Sequence, residues 1–381
     1  MMNKVIRSIV IVGGGTAGWL SAGIIAARHQ ARIRNGELSI TLIESDNMPT
    51  VGVGEGTWPT MPNTLRSLGI SETDFIRECG ASFKQGTKFV NWDNDKESSY
   101  YYHPFDVPNG ALEGDIAAYW LAENSEQSLA KLFTSQETLC DKELAPKTIS
   151  SPEFAGFVNY GYHLDAIKFS AFLKQHCIEK LGVQHKVADI EKGVLSNAGD
   201  IESVQLADGN TITADFFVDC SGFKSILLGG TLGVEFNNID DVLFADTALA
   251  VQVEYQDGND TIASYTQSTA QSAGWIWDIG LPSRRGVGYA YSSKYQTRDG
   301  AERELRAYLN NSGANVDELT IKEINFQAGH REKFFHKNCV AIGLSAGFLE
   351  PLEAAALVMI ELSATMIAEQ LPKTNDTLPI I

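Results

Sequence analysis

The stretch from Val5 to Gly23 constrains the fold of this chain of 381 residues more than any other part. It begins with a run of β-branched and apolar residues, which is typical of a buried parallel strand. The run leads into Gly13-Gly14-Gly15-Thr16-Ala17-Gly18, which fits G-x-G-x-x-G, and then into an alanine-rich segment that ends near His29. Strand, glycine loop and helix in this order predict a dinucleotide-binding unit.

Each position of the loop has a physical task in such a unit. Gly13 allows the tight turn, Gly15 lets the backbone approach a pyrophosphate, and Gly18 lets the helix pack closely on the strand. The free N–H groups at the start of the helix would face the phosphates. A second apolar strand, 38–43, ends in an acidic residue that is placed to accept hydrogen bonds from ribose hydroxyls. The predicted nucleotide-binding residues here are Gly13, Gly15, Thr16, Ala17, Gly18 and Glu44.

Two later segments repeat the pattern of a buried strand followed by small residues. Residues 214–224 predict a strand that ends beside the adenine side of the nucleotide, although a core strand with a tight turn explains the same residues. Residues 339–347 predict a strand and a small-residue loop before a helix that starts at Glu353, reaches Gln370 and is stopped by Pro372. Two such junctions separated by a β-rich insert indicate FAD in a fold like that of the FAD hydroxylases. The cofactor residues predicted from these junctions are Asp219, Gly222, Gly343 and Gly347.

The remaining segments predict a second structural unit. Residues 81–92 alternate like one strand beside the first unit, with Lys84 and Lys88 on one face, where lysine is usually solvated. Residues 160–173 predict the start of a helix, and 235–325 alternate like a largely antiparallel sheet. Residues 94–150 predict a long excursion of the binding-loop type.

Composition restricts the partners of the chain. The net charge of −18 argues against nucleic acid and anionic membrane surfaces, which would repel the protein. Five widely spread cysteines without a C-x-x-C pair favour free thiols in a cytoplasmic protein over disulfides or a zinc site. No segment of membrane-spanning length is free of charges.

Three separated motifs identify a family resemblance. They are Phe83-Lys84-Gln85-Gly86, the segment Gly274-Trp275-Ile276-Trp277-Asp278-Ile279, and Gly347-Phe348-Leu349-Glu350-Pro351-Leu352-Glu353. With these motifs in this order the chain resembles the flavin-dependent tryptophan halogenases from Val5 to its last residue. The resemblance implies an α/β fold in which a Rossmann-like FAD-binding unit of the flavin monooxygenase type carries an inserted, largely antiparallel β-sheet substrate module.

The resemblance also implies a reaction. A separate flavin reductase supplies FADH2, which with O2 oxidises chloride or bromide to hypohalous acid. An internal tunnel guides this oxidant to a lysine, matched here by Lys84, beside tryptophan or another indole-like arene. A glutamate, matched by Glu353, polarises the oxidant or takes the proton from the ring. Trp275 and Trp277 match the pair that keeps substrates away from the flavin, and His103 and Phe105 match substrate-side residues.

The sequence departs from the family pattern at three places. Ile279 is followed by Gly280 instead of proline, and Glu353 is followed by three alanines instead of Ser-Thr-Gly. The family binds halide on backbone N–H groups of that turn, matched here by Ala355 and Ala356. Relatives continue beyond residue 381, and the resemblance therefore implies a shortened chain or an open substrate pocket.

The predicted division of the chain is discontinuous. Residues 1–95, 155–234 and 326–381 are assigned to the FAD-binding unit, and 96–154 and 235–325 to the substrate-side module. Two alternatives stay open, a flavin-dependent monooxygenase or oxidase on the same fold and a catalytically inactive flavin-binding fragment. A homodimer is compatible with the sequence, and no metal site is predicted.

Overall fold

The computed structural model describes residues 5–46, 54–93, 99–108, 114, 116–123, 127–255, 261–314, 316 and 319–371. The described helices are α1 Thr16–Arg28, α2 Gln30–Arg34, α3 Met61–Leu68, α4 Glu72–Glu78, α5 Ile116–Ala122, α6 Gln136–Asp141, α7 Ala166–Glu179, α8 Arg298–Asn311 and α9 Ala356–Gln370. Short 3-10 helices lie at Ala130–Leu132, Gly222–Lys224 and Gly343–Ser345.

The strands are named in chain order. They are β1 Ser8–Val12, β2 Ser39–Glu44, β3 Gly54–Gly56, β4 Ser82–Lys84, β5 Gly86–Val90, β6 Tyr100–Pro104, β7 Gly161–Asp165, β8 Gln184–Val187, β9 Ile190–Leu195, β10 Ile201–Leu206, β11 Thr211–Thr213, β12 Phe216–Asp219, β13 Phe236–Asn238, β14 Thr247–Val253, β15 Thr266–Gln271, β16 Gly274–Gly280, β17 Arg285–Tyr291, β18 Lys322–Asn325, β19 Gly329–Arg331, β20 Phe335–His336, β21 Cys339–Ala341 and β22 Gly347–Phe348.

A six-stranded sheet in the order β20-β21-β12-β1-β2-β8 forms the first layer. All its neighbours are parallel except β20 and β21. One face packs on α1, α7 and α9, and the other on a small sheet of β9, β10 and β11. Because helices or strands cover both faces, the strands need continuous apolar sequence, which β1 has. The Rossmann-like unit predicted from the glycine loop is confirmed.

A seven-stranded sheet in the order β18-β14-β17-β16-β15-β5-β6 forms the second layer. Its neighbours are antiparallel except β15 and β5. Helix α8 packs on one face, where Leu305 and Leu309 meet Leu249 and Tyr289. The predicted largely antiparallel sheet is confirmed. The division into two discontinuous domains remains a prediction.

The single strand predicted over 81–92 is wrong, because the strand is interrupted at Gln85 and continues as a second strand. The N–H of Gln85 donates to the Ser264 carbonyl at 2.7 Å, and Gly86 follows with φ +153°. A Cβ on Gly86 would lie 2.4 Å from the carbonyl oxygen of His103. The break sends β4 into a three-stranded sheet with β3 and β7, whereas β5 joins the seven-stranded sheet. Lys84 is therefore buried and does not lie on a solvated strand face.

The helix predicted from residue 160 begins later. Residues Gly161–Asp165 form β7, which pairs with β3 on one side and β4 on the other. Helix α7 begins at Ala166, because the Asp165 carboxylate accepts from the N–H groups of Ile167 and Lys168 as an N-cap. The helix stop predicted at Pro372 lies outside the described residues.

All five cysteines are buried and free. In the described part of the chain, no helix has both the length and the apolar character needed to cross a bilayer. The same residues hold no group of three or more side chains suited to a metal ion.

Candidate functional site

The glycine loop between β1 and α1 has the geometry that its pattern predicts. Gly13 has φ +112°, and a Cβ there would lie 2.2 Å from the Cys220 carbonyl oxygen. A Cβ on Gly18 would lie 1.8 Å from the Gly13 carbonyl oxygen, so the helix packs closely on the loop. A Cβ on Gly15 would meet no protein atom within 4 Å. Gly13 and Gly18 are thus required by the fold, whereas Gly15 leaves space beside the helix N-terminus.

The two later junctions meet this loop. A Cβ on Gly343 would lie 2.9 Å from the Cβ of Ala17, which is in the first turn of α1 next to Thr16. The Ser345 hydroxyl donates to the Gly222 carbonyl at 3.1 Å. Gly347 lies slightly further along, in β22. The structure therefore gathers Gly13, Gly222 and Gly343 around the start of α1.

The two acidic residues predicted for the nucleotide differ in their surroundings. Glu44 accepts from Lys174 Nζ at 2.5 Å and lies 2.7 Å from His185 Nε2. Its Oε2 lies beside the loop, 1.6 Å from where a Cβ on Gly14 would be. Asp219 is fully buried, and its carboxylate accepts from groups of its own turn, including the N–H groups of Leu227 and Leu228. The side chain of Asp219 therefore holds the turn, which supports the structural alternative.

These features fit a flavin dinucleotide. The space at Gly15 would admit the pyrophosphate, and the N-terminal N–H groups of α1 would bind it. Glu44 ends β2, the strand beside β1, where such folds place the acidic residue that binds a ribose.

Paired substitutions test this assignment. Ala in place of Gly13 is expected to destabilise the fold by about 2 kcal/mol or more, because φ is positive and the new Cβ meets a backbone carbonyl. Ala in place of Gly15, whose φ is −74°, should change the free energy of unfolding by less than about 1 kcal/mol and weaken FAD binding roughly tenfold. Urea unfolding without FAD and a fluorescence titration with FAD measure the two effects. Undiminished FAD affinity in Gly15→Ala would contradict the assignment.

Lys84 lies at the end of β4 with 1% of its surface exposed. Its Nζ is 3.0 Å from where a Cβ on Gly56 would be and 5.4 Å from the centre of the Phe105 ring. Burial lowers the pKa of Lys84 from 10.5 to about 8, although the charge of Glu353 works in the opposite direction. About a tenth of this amine is therefore neutral, and hence nucleophilic, at pH 7.

Glu353 and His103 form the polar edge of the lysine site. Nδ1 of His103 lies 3.2 Å from Glu353 Oε2, and both side chains are partly exposed. The hydrogen bond from His103, assisted by the charge of Lys84, lowers the pKa of Glu353, and the same hydrogen bond raises the pKa of His103. Glu353 is therefore a carboxylate close to a buried amine. Of the predicted site residues, the structure brings together Lys84, Glu353, His103 and Phe105.

The predicted start of the last helix at Glu353 is wrong. Helix α9 begins at Ala356 with Ala355 as its N-cap residue. Ala354 has φ +53° and its N–H donates to the Pro351 carbonyl at 3.1 Å, so residues 351–354 form a separate turn. Ala355 and Ala356 nevertheless stand at the N-terminus of α9, where the first N–H groups of a helix have no intrahelical acceptor.

The two tryptophans of β16 lie on the sheet face opposite α8. Trp275 is 5% exposed and belongs to a small apolar cluster with Ala245 and Ala290, and Leu352 packs against this cluster. Trp277 covers Gly288, where a Cβ would lie 2.1 Å from its Cζ2 atom. The pair therefore packs near Leu352, which directly precedes Glu353.

One buried residue of the site, His163, lies outside the three sequence motifs. His163 is fully buried in β7 and pairs with Gly56 and Ser82 across the small sheet, on the face that carries Lys84. Its Nε2 lies 2.8 Å from the Thr266 hydroxyl, and its Nδ1 has no partner in the described part of the chain. Burial and the charge of Lys84 lower its pKa well below 6.5. The alternation of Tyr160-Gly161-Tyr162-His163-Leu164 is the signal that would have placed it in a strand.

A pH-dependent gain in stability is expected for Lys84→Met. In the unfolded chain Lys84 holds its proton up to about pH 10.5, whereas the folded chain releases it near pH 8. Between pH 8 and pH 10.5 the unfolded state thus binds more protons than the folded state, so the free energy of unfolding of the wild type rises with pH. Below pH 8 this free energy is lowered by the full cost of burying the charged amine. The variant should be more stable than wild type by about 3 kcal/mol at pH 7, with the difference vanishing towards pH 10.5. Urea unfolding at both pH values measures this, and a pH-independent difference would contradict it.

Known proteins are similar to this chain in sequence and in fold. The sequence profile of the tryptophan halogenases matches residues 8–380. The chain belongs to the tryptophan halogenase family. It is 32% identical to the tryptophan 7-halogenase of Lentzea aerocolonigenes over 387 residues, which cover 97% of this chain and 71% of that enzyme. The present chain is therefore a halogenase, a flavin-dependent oxidoreductase.

Solved structures agree with the family assignment. The halogenase superposes on a tryptophan halogenase from Shewanella frigidimarina with a TM-score of 0.94 and 47% identity, covering 100% of this chain and 74% of that one. A flavin-dependent halogenase from Brevundimonas sp. BAL3 gives a TM-score of 0.84 with 34% identity over 98% of this chain and 73% of that one. The expected fold is thus confirmed.

Proposed function

We propose that this halogenase binds FAD, receives it as FADH2 from a separate flavin reductase, and halogenates tryptophan or another indole-type arene with chloride or bromide and O2. The observation that carries the proposal is Lys84, an amine that is 1% exposed, has its pKa lowered to about 8 by burial, and lies beside Phe105. An amine in this state can hold an electrophilic halogen by hydrogen bonding or as a haloamine, away from bulk water.

The other residues would act around this amine. Glu353, kept ionised by His103, would accept the proton that the ring loses when the halogen is attached. Phe105 would pack against the arene, and His103 would keep Glu353 in place. The N–H groups of Ala355 and Ala356 would bind halide at the start of α9. Trp275 and Trp277 would keep the arene from the flavin.

A mass spectrum tests the proposal. The protein would be incubated with tryptophan or indole, bromide, FAD, NADH and a flavin reductase, and the products searched for the bromine isotope doublet. A doublet that depends on bromide and on the protein is expected. Oxygenated product without halide dependence would instead favour a monooxygenase, and reoxidation of flavin without any product from either arene would contradict the proposed substrate class.

A further inference from the structure

We propose that Trp58 is a positioning residue that holds the turn Glu353–Ala356 in its working conformation. The proposal rests on the proposed function for what the turn does, but it concerns a residue that the sequence motifs of the site do not include. Its basis is a hydrogen bond to a strained backbone position.

The strain lies at Ala354. This residue has φ +53°, in the left-handed region that residues with a Cβ rarely adopt. It sits between Glu353 and the N–H groups at the start of α9. A non-glycine residue persists in this conformation only where its surroundings compensate for the cost. The relevant surroundings are therefore the contacts made to the two peptide groups beside Ala354.

Trp58 makes one of these contacts. Its indole Nε1–H donates to the carbonyl oxygen of Glu353 at 3.0 Å. That carbonyl belongs to the peptide group that precedes Ala354, and rotation about φ of Ala354 changes the orientation of this group relative to the rest of the turn. The hydrogen bond therefore favours the left-handed conformation directly.

The segment that carries Trp58, from Gly56 to Thr64, also lies beside Lys84. A Cβ on Gly56 would lie 3.0 Å from Lys84 Nζ and 3.3 Å from the Cβ of Ala354, so Gly56 lies beside both and leaves no room for a side chain. Further along, the hydroxyls of Thr60 and Thr64 donate to the buried carboxylate of Glu361 in α9, at 3.2 and 2.5 Å. The segment from Gly56 to Thr64 thus fixes the start of α9 relative to the lysine.

Loss of the Trp58 hydrogen bond should first weaken the binding of halide. The orientation of the N–H groups of Ala355 and Ala356 follows from the backbone of the turn. If the turn relaxes, these groups no longer converge, and halide binding should weaken while the flavin site stays unchanged. A residue that only fills space beside the turn would affect stability and leave the halide KM unchanged.

The test combines Trp58→Phe with Ala354→Gly. Trp58→Phe keeps an aromatic ring and removes the donor, and we expect the bromide KM to rise about tenfold with little change in kcat or flavin reoxidation. Glycine adopts positive φ without steric cost, so Ala354→Gly should restore most of the bromide KM in the Trp58→Phe background. Trp92→Phe is the matched control, because Trp92 Nε1 donates to the Ser268 carbonyl at the same 3.0 Å.

Two outcomes overturn the proposal. One is a bromide KM for Trp58→Phe that equals that of Trp92→Phe, and the other is a failure of Ala354→Gly to restore it. Amide hydrogen exchange gives a readout independent of turnover, and it separates this proposal from the proposed function. If wild type makes no brominated product, faster exchange in Trp58→Phe of the N–H groups of residues 354 and 359, which donate to the carbonyls of Pro351 and Ala355, supports the positioning role when Ala354→Gly reverses it, and unchanged exchange contradicts it.

Discussion

Lys84→Ala is expected to abolish halogenated product while FAD binding and flavin reoxidation continue. The pKa of about 8 leaves roughly a quarter of the Lys84 amine neutral at pH 7.5, compared with on the order of one part in a thousand for an ordinary lysine. Alanine removes the only group in this proposal that can hold the electrophilic halogen next to Phe105. Product formation should fall by about 10³-fold or more, as for the loss of a nucleophile.

The bromine doublet in the mass spectrum and the rate of flavin reoxidation measure the two effects separately. Lys88→Ala is the control, because Lys88 lies on the next strand, pairs with Asp141 at 3.7 Å and faces Tyr100. It should give product at a rate close to wild type. Product from Lys84→Ala at the wild-type rate would remove the proposed mechanism, and equal loss in both variants would show that any lysine removal here disturbs the fold.

The glycine loop could be predicted because its constraints are local. The positive φ of Gly13 and the close approach at Gly18 arise between β1, the loop and α1, which are adjacent in sequence. The antiparallel sheet could likewise be predicted from the alternation around β14 and β17. For the halogenase site the three motifs indicated Lys84, Glu353 and the tryptophan pair through family resemblance, and the structure adds the burial of Lys84 and the contact of Glu353 with His103.

The burial of Lys84 could not be predicted because it is non-local. Alternation alone favours a solvated lysine, but the break at Gln85 depends on a hydrogen bond to Ser264, which is 179 residues away. His163 was missed because residues 160–173 also fit a helix, and only the pairing of β7 with two distant strands decides for the alternation of residues 160–164. Trp58 begins a segment, 58–68, whose helical spacing gives no sign of a contact with Glu353, which is 295 residues away.

Glu353→Gln is expected to slow halogenation by about 10²-fold to 10⁴-fold without changing flavin reoxidation. Glutamine keeps the size of the side chain and an acceptor for His103, but it cannot take the proton from the ring. The charge of Glu353 also raises the pKa of Lys84, so its loss should lower that pKa further and increase the neutral fraction of the amine.

The loss of the proton acceptor lowers the rate of halogenation, whereas the lower pKa of Lys84 raises it. The pH dependence of the rate separates the two effects. If Glu353 acted only through the pKa of Lys84, Glu353→Gln would halogenate faster than wild type at pH 7. If it accepts the ring proton, the rate falls at every pH while the acidic limb of the profile moves to lower pH. Glu302→Gln on α8, which removes a carboxylate paired with Arg298 and Arg306, controls for the loss of charge. Equal slowing of halogenation and flavin reoxidation would instead identify Glu353 as a structural residue of the turn, because a proton acceptor at the ring has no part in reoxidation.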